Sequence, residues 1–80
     1  MTPIKYSKDA HKFLKKQDNG TQARIIKAIM KIPKDEIKIT NVVNYPNLLK
    51  IRVGDFRVIF DKDFAQIIDV EDIGNRGDIY

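Results

Sequence analysis

The sequence predicts an α+β fold in which two antiparallel N-terminal helices pack on a mainly antiparallel sheet of three to four strands. Apolar residues recur at three- and four-residue spacing through residues 10–32, whereas apolar and basic residues alternate through residues 49–60. The chain has 80 residues, of which 42% are hydrophobic, and this suffices for one modest core. We therefore expect residues 1–80 to form a single domain.

A short strand and a helix are predicted at the start of the chain. Ile4–Tyr6 has the composition of a strand, and Ser7 after it is a favourable N-cap. The inward face of the helix is then formed by Ala10, Phe13, Leu14 and Gln17. The side chains expected to face solvent are Lys8, Lys12, Lys15 and Lys16, together with His11, the single histidine.

A second helix is predicted before Pro33. Asn19-Gly20 supplies residues that tolerate the left-handed conformation and is expected to end the first helix. Thr21 is expected to cap the second helix, and Pro33 to stop it. Its apolar face is formed by Ile25, Ile26, Ile29, Met30 and Ile32.

The strongest local pattern predicts a β-hairpin over residues 49–60. Gly54-Asp55 suits a two-residue turn with glycine first, which pairs Arg52 with Arg57 and Lys50 with Ile59. Because side chains alternate along a strand, these four residues would share one face. The other face would be apolar, with Leu49, Ile51, Val53, Phe56, Val58 and Phe60.

The remaining segments give weaker signals. Residues 34–47 are expected to be a connector, with a short strand at residues 37–39. A third strand of the sheet is predicted over residues 66–71, followed by a glycine-containing loop over residues 74–80. No internal repeat or low-complexity segment is apparent in the sequence.

The charge distribution suggests an anionic partner. Residues 1–40 contain ten Lys and Arg against four Asp and Glu, whereas residues 41–80 contain five against seven. A basic half is attracted to a polyanion through phosphate contacts, although a solvated lysine-rich surface has the same composition. The chain has no cysteine, no apolar run that could span a bilayer and no signal-peptide pattern, so a cytoplasmic location without membrane attachment is expected.

The predicted hairpin gathers cations on one face. Directly opposed like charges cost a few tenths to about 1 kcal/mol, so Arg52 opposite Arg57 calls for a compensating anion. That anion is either a carboxylate on the next strand, Asp69 or Glu71, or a bound phosphate, which a guanidinium binds bidentately. On the phosphate interpretation, Arg76 and Tyr80 in the C-terminal segment join Lys50 in the site. No metal-ligand spacing, serine triad or nucleotide-binding glycine loop is apparent, so neither a metal nor a cofactor is expected.

Two segments of the chain resemble a known family. The segment Leu-Lys-Ile-Arg-Val-Gly-Asp-Phe-Arg-Val-Ile-Phe at residues 49–60 is similar to the central hairpin of RelE-type toxins. The segment Ile-Gly-Asn-Arg-Gly-Asp-Ile-Tyr at residues 73–80 is similar to the motif that closes their domain. With two basic helices ahead of the sheet, the resemblance to the RelE/ParE toxins covers nearly the whole chain.

The resemblance implies the toxin of a type II toxin–antitoxin system, in the branch that cleaves messenger RNA, typically in the ribosomal A site. It implies an active site formed by Lys50, Arg52, Arg57, Arg76 and Tyr80, in which a ribose 2′-hydroxyl attacks the adjacent phosphate without a metal. Arg57 and Arg76 would stabilise the transition state, because a guanidinium stays protonated in proteins. Either Lys50 or Tyr80 could accept the proton, and the resemblance does not decide between them. The expected partners are a cognate antitoxin, mRNA and the ribosome, and operator DNA when the antitoxin is bound.

Some positions depart from the family pattern and leave two alternatives open. Asn75 stands where relatives often have His or Lys, and Arg52 stands where some relatives have Lys. In addition, a carboxylate at the chain end would lie beside Tyr80. The first two departures predict slow turnover, and the third bears on the role of Tyr80. The alternatives are a non-enzymatic toxin resembling ParE that binds DNA gyrase, and an inactive relative that binds an antitoxin or an operator. The basic and tyrosine set favours the nuclease, because the ParE branch usually lacks it.

Overall fold

The computed structural model describes residues 2–75, and it confirms the α+β class. The elements are β1 (Ile4–Tyr6), α1 (Lys8–Lys15), α2 (Asn19–Met30), β2 (Thr40–Val42), β3 (Tyr45–Val53), β4 (Phe56–Asp61) and β5 (Ile68–Asn75). The five strands form one sheet in the order β1-β5-β4-β3-β2, in which β1 runs parallel to β5 and the other pairs are antiparallel. The sheet is larger than the three to four strands predicted, because short strands extend both edges.

Ser7 connects the first strand, the first helix and β5. Its Oγ accepts a hydrogen bond from the backbone nitrogen of Ala10 at 3.1 Å, which is the predicted N-cap. The Ser7 nitrogen donates to the carbonyl of Val70 at 2.8 Å, and its hydroxyl donates to the carbonyl of Glu71. These bonds fix the start of α1 at β5. The exposed side of α1 carries the residues predicted there: Lys8, His11, Lys12, Lys15 and Lys16.

The start of α2 corrects two predictions. Asn19-Gly20 does not end α1, and Thr21 is not the cap, because both lie inside the first turn of α2. The N-cap is Asp18, whose carboxylate accepts a hydrogen bond from the Thr21 nitrogen at 2.7 Å. This hydrogen bond lowers the pKa of Asp18. A carboxylate also interacts favourably with the positive end of the helix dipole, an interaction that the Thr21 hydroxyl lacks.

The core lies between the helices and one face of the sheet. α1 packs against β5, and α2 contacts β3. At the end of α1, the ring of Phe13 meets that of Phe56 edge-on, with centroids 5.9 Å apart. A fully buried large aliphatic or aromatic side chain contributes about 1.5–3 kcal/mol relative to exposure. The largest core residues with almost no exposure are Ile25, Ile29, Ile32, Ile51, Val58, Phe60, Ile68 and Val70.

The connector contains a strand, but not where it was predicted. Residues 37–39 lie outside the sheet, and β2 follows them at Thr40–Val42. Ile37 and Ile39 pack against the core instead, which explains their apolar character. The turn between β2 and β3 places Asn44 at φ 69°, a conformation that asparagine tolerates better than most residues.

The last strand begins later and runs further than predicted. It starts at Ile68 rather than residue 66, and it includes Gly74 and Asn75, which were expected in a loop. A bulge interrupts its pairing with β4, since Ile59 faces Asp72 while Phe60 faces Val70. The predicted loop over residues 76–80 lies outside the described residues. None of the helices in the described part is long and apolar enough to cross a membrane.

Candidate anion-binding site

The central hairpin has the register that the sequence predicts. Arg52 lies opposite Arg57, and Lys50 lies opposite Ile59. β4 is flanked by β3 on one side and by β5 on the other, so the strand that carries Arg57 is held on both sides. The backbone positions of these cations are therefore set by the interior of the sheet.

Gly54 is favoured at the hairpin turn by its backbone conformation. Its φ is +59°, in the left-handed region that side chains rarely adopt. A Cβ at this position would meet the guanidinium of Arg24, which reaches the turn from α2. Because that group is the end of a flexible side chain, it can move aside, and the backbone conformation is what favours glycine here.

The two faces of the hairpin differ in chemistry. The core-facing side carries Ile51, Val53, Val58 and Phe60, all buried under the helices. Lys50, Arg52 and Arg57 alternate with these residues and therefore lie on the opposite side, which we call the outer face. Arg52 is exposed, whereas Lys50 and Arg57 are half-buried. Ile59 is fully buried on this face, so the cations surround an apolar residue.

A cavity of about 250 Å³ opens among these cations. It lies between the connector and the hairpin, and we call it the basic pocket. Its lining residues are Ile37, Lys38, Thr40, Lys50, Ile51, Arg52 and Arg57. Four of these side chains are cationic and none is a carboxylate, so the pocket offers N–H and O–H donors to an anion. Such a donor set suits phosphate, because guanidinium groups bind its oxygens bidentately.

The neighbouring carboxylates do not line the basic pocket. Asp69 lies opposite Lys5 of β1, and Glu71 lies at the bulge. On the outer face, the register places Asp72 opposite Ile59 and Asp61 two residues along β4 from Ile59. One Asp72 oxygen accepts a hydrogen bond from the backbone nitrogen of Ile73 at 3.0 Å. An anion that enters the basic pocket would therefore meet cationic side chains and no carboxylate from these positions.

The predicted site residues fall into two groups. Lys50, Arg52 and Arg57 are brought together in the basic pocket. Arg76 and Tyr80 lie outside the described residues, so their places in the site remain predictions. Asn75 is the last residue of β5 and pairs with Phe56, the first residue of β4. It therefore lies beside the end of the hairpin that carries the turn.

Two pocket residues were missed from the sequence: Lys38 and Thr40. Both lie in or next to the connector, where the periodicity is weak, and Thr40 faces Lys50 across the β2–β3 ladder. A signal for Lys38 was present in the triplet Ile37-Lys38-Ile39, because the two isoleucines pack against the core and hold the lysine between them near the sheet. The identity of its neighbours depends on how β2 returns along β3, which the local sequence does not encode.

Metal-ligand clusters were sought among residues 2–75. No group of three or more His, Asp or Glu side chains in that part of the chain is placed to hold a metal ion. The basic pocket offers four cationic side chains and one hydroxyl, which are poor ligands for a divalent cation. The donors that line the pocket therefore suit an anion better than a metal ion.

The fold and the pocket together define a class: a small α+β domain with a basic pocket on the outer face of its sheet. In comparisons with solved structures, this is the fold of the RelE toxins. A chain of the RelB–RelE antitoxin–toxin complex from Methanococcus jannaschii matches with a TM-score of 0.71 and 22% identity, over 95% of this chain and 94% of that chain. A chain of the intact E. coli RelBE complex matches with a TM-score of 0.71 and 15% identity, over 94% and 96%.

A third similar structure is the YoeB dimer from Staphylococcus aureus. Its TM-score is 0.71 at 16% identity, over 89% of this chain and 92% of that chain. No protein-family model and no characterised protein matches the sequence. At these identities the likeness concerns the fold, so the activity has to be argued from the site.

Proposed function

We propose that this protein is the toxin of a type II toxin–antitoxin system, and that it is a metal-independent endoribonuclease that cleaves mRNA on the ribosome. The observation that carries the proposal is the basic pocket, in which Lys50, Arg52 and Arg57 lie together on the outer face of a RelE-type sheet. Directly opposed arginines repel each other, and an anion bound beside them offsets that repulsion. An RNA phosphodiester supplies that anion.

The proposed reaction is an internal displacement at phosphorus. The 2′-oxygen of a ribose forms a bond to the adjacent phosphorus, and the bond from phosphorus to the 5′-oxygen of the next nucleotide breaks. A base removes the proton of the 2′-hydroxyl, and an acid donates a proton to the departing 5′-oxygen. The products are a 2′,3′-cyclic phosphate and a 5′-hydroxyl.

Each residue of the site has a role in this proposal. Arg52 and Arg57 stabilise the additional negative charge of the pentacoordinate phosphorus, because they remain protonated and are fixed by the sheet. Lys50 is half-buried and lies two residues before Arg52 on the same strand. It either transfers a proton or binds the phosphate. Arg76 and Tyr80 are proposed as a third guanidinium and a second candidate for proton transfer.

The proposed partners follow from the fold and the charge. RelE is solved together with RelB in two of the structures named above. We propose an analogous antitoxin for this chain, with an acidic or amphipathic segment that covers the basic surface, and operator DNA as a target of the joint complex. The excess of six positive charges in residues 1–40 favours such a partner through long-range attraction. Co-expression with the adjacent gene should restore host growth, and the two proteins should copurify.

The test uses purified protein with ribosomes programmed with a defined mRNA. We expect cleavage detected by primer extension, with a strong loss of rate in Lys50→Ala and Arg57→Ala. Lys12→Ala, which removes an exposed cation from α1, is the matched control and should cleave at the parental rate. Chelation should leave cleavage intact while enough magnesium remains for the ribosomes. Relaxation of supercoiled DNA by gyrase is assayed in parallel, and gyrase inhibition without mRNA cleavage would contradict the proposal.

A further inference from the structure

Arg24 joins the helical layer to the turn of the central hairpin. It is an exposed residue of α2, and its guanidinium lies against Gly54, on the side of the α-carbon where another residue would carry its Cβ. A long charged side chain at an exposed position commonly extends its end into water. The end of Arg24 instead lies on the backbone of the turn, so this side chain connects α2 with the hairpin.

The end of β3 that leads into the turn is held by the sheet on one side. In the part of the chain that the structure describes, β2 pairs with β3 no closer to the turn than Lys50. Beyond Lys50, the described pairing of β3 is with β4. Arg52 lies in this stretch, whereas Arg57 lies on β4, which also pairs with β5. A displacement of the turn therefore moves Arg52 more readily than Arg57.

The helices hold this end of the hairpin through two kinds of contact. Val53 is buried in the core, and the ring of Phe56 meets that of Phe13 on α1 with centroids 5.9 Å apart. These apolar contacts fix the last pair of the ladder, in which Val53 faces Phe56. Gly54 lies beyond that pair and is exposed, and the guanidinium of Arg24 contacts it there. The contact from Arg24 thus restrains the turn itself.

We infer that Arg24 is a positioning residue for the proposed cleavage reaction, because it restrains the turn and thereby the orientation of Arg52 in the basic pocket. This inference rests on the proposed function and deepens it. α2 packs on the core-facing side of the sheet, whereas the basic pocket opens on the outer face. Arg24 therefore acts through the hairpin and does not contact the RNA.

The first measurement is the single-turnover rate of mRNA cleavage on programmed ribosomes. A displacement of about 1 Å at a reacting group can cost about 100-fold in rate, and the loss of one restraint on the turn should cost about 5- to 20-fold in Arg24→Ala. Lys27→Ala, which removes another exposed cation from α2, is the matched control and should cleave at the parental rate. Because Arg24 is exposed, its replacement should change the melting temperature by less than about 4 °C.

A double-mutant cycle shows whether Arg24 acts through Arg52. In an Arg52→Gln background the guanidinium to be oriented is already absent, so Arg24→Ala should lower the rate by no more than about 2-fold further. The full loss in that background overturns the inference. The affinity for a cleavage-resistant 2′-O-methyl RNA, measured at several salt concentrations, excludes a direct contact. Arg24→Ala should have the same salt slope as Lys27→Ala, and a slope lower by about 0.7 would assign Arg24 to a phosphate and overturn the inference.

Amide hydrogen exchange of residues 54–56, followed by NMR on the full chain, reports the restraint without any cleavage. Exchange should be about 3- to 10-fold faster in Arg24→Ala and unchanged in Lys27→Ala. Parental exchange and a parental rate in Arg24→Ala, while Arg57→Ala has lost cleavage, overturn the inference and leave the nuclease proposal standing. Absence of cleavage by the parent protein overturns both, whatever the exchange rates are.

Discussion

Replacement of Arg52 by glutamine separates a phosphate-binding role from a structural one. Arg52 is exposed on the outer face, directly opposite Arg57, and it lines the basic pocket. Glutamine keeps most of the aliphatic stem and the β-strand position but removes the charge. The variant therefore changes one electrostatic interaction with Arg57 and one with the substrate, and leaves the core untouched.

The two effects have opposite consequences. Relief of the Arg52–Arg57 repulsion contributes a few tenths to about 1 kcal/mol, which for a domain of this size raises the melting temperature by about 1–8 °C. Loss of a charge-assisted contact to the transition state costs about 2–4 kcal/mol, or about 30- to 1000-fold in rate. We expect a protein that is equally stable or more stable and much less active.

Thermal unfolding followed by circular dichroism measures the first quantity, and the rate of mRNA cleavage on programmed ribosomes measures the second. Lys12→Gln removes an exposed cation from α1 and is the matched control for both measurements. If Arg52→Gln melts several degrees lower than the parent and cuts at the parental rate, Arg52 forms an internal ion pair. The phosphate interpretation would then be refuted at this position.

The other predictions address the remaining site residues and one helix cap. If Lys50 transfers a proton, Lys50→Ala should lower kcat more than it lowers the affinity for the ribosome. If Lys50 only binds the phosphate, the variant should lower the affinity more than kcat. Single-turnover kinetics and equilibrium binding measurements separate the two outcomes. Arg76→Ala and Tyr80→Phe should each lower the cleavage rate with unchanged melting, and a parental rate in both variants would remove them from the proposed site. Asp18→Ala should lower the melting temperature at neutral pH, because the helix loses its N-cap. Since the pKa of Asp18 is lowered in the folded state, its contribution is complete above the ordinary carboxyl pKa and is lost as pH falls through the lowered value. The difference in melting temperature between the parent and Asp18→Ala should therefore shrink in acid, and a difference independent of pH would argue against this origin.

The hairpin could be predicted from the sequence because its information is local. Glycine at the first turn position fixes the turn, the turn fixes the register, and strict alternation assigns each residue to a face. Arg52 and Arg57 were therefore placed opposite one another correctly before the fold was known. The same holds for Ser7 as the cap of α1, where the hydroxyl and the first turn are adjacent in sequence.

The errors arose where several local solutions compete. Asp18 and Thr21 are both good N-caps three residues apart, and Asn19-Gly20 between them is compatible with either a helix end or a first helical turn. The structure selects Asp18, whose carboxylate accepts the Thr21 backbone hydrogen bond and carries the charge that a helix N-terminus favours. A short strand is predicted at residues 37–39 within a segment of weak periodicity, but these residues lie outside the sheet, and their isoleucines pack against the core instead.

The sequence by itself determined the fold class, the hairpin register and the grouping of Lys50, Arg52 and Arg57, since each depends on short-range periodicity or on one turn. Only the tertiary structure decided which residues complete the basic pocket. Lys38 and Thr40 reach it because β2 returns antiparallel along β3, and Asp69 is kept from it because β5 pairs with β1 and carries a bulge. Those pairings join residues far apart in the chain, and they are selected by burial of the whole apolar face of the sheet rather than by any segment alone.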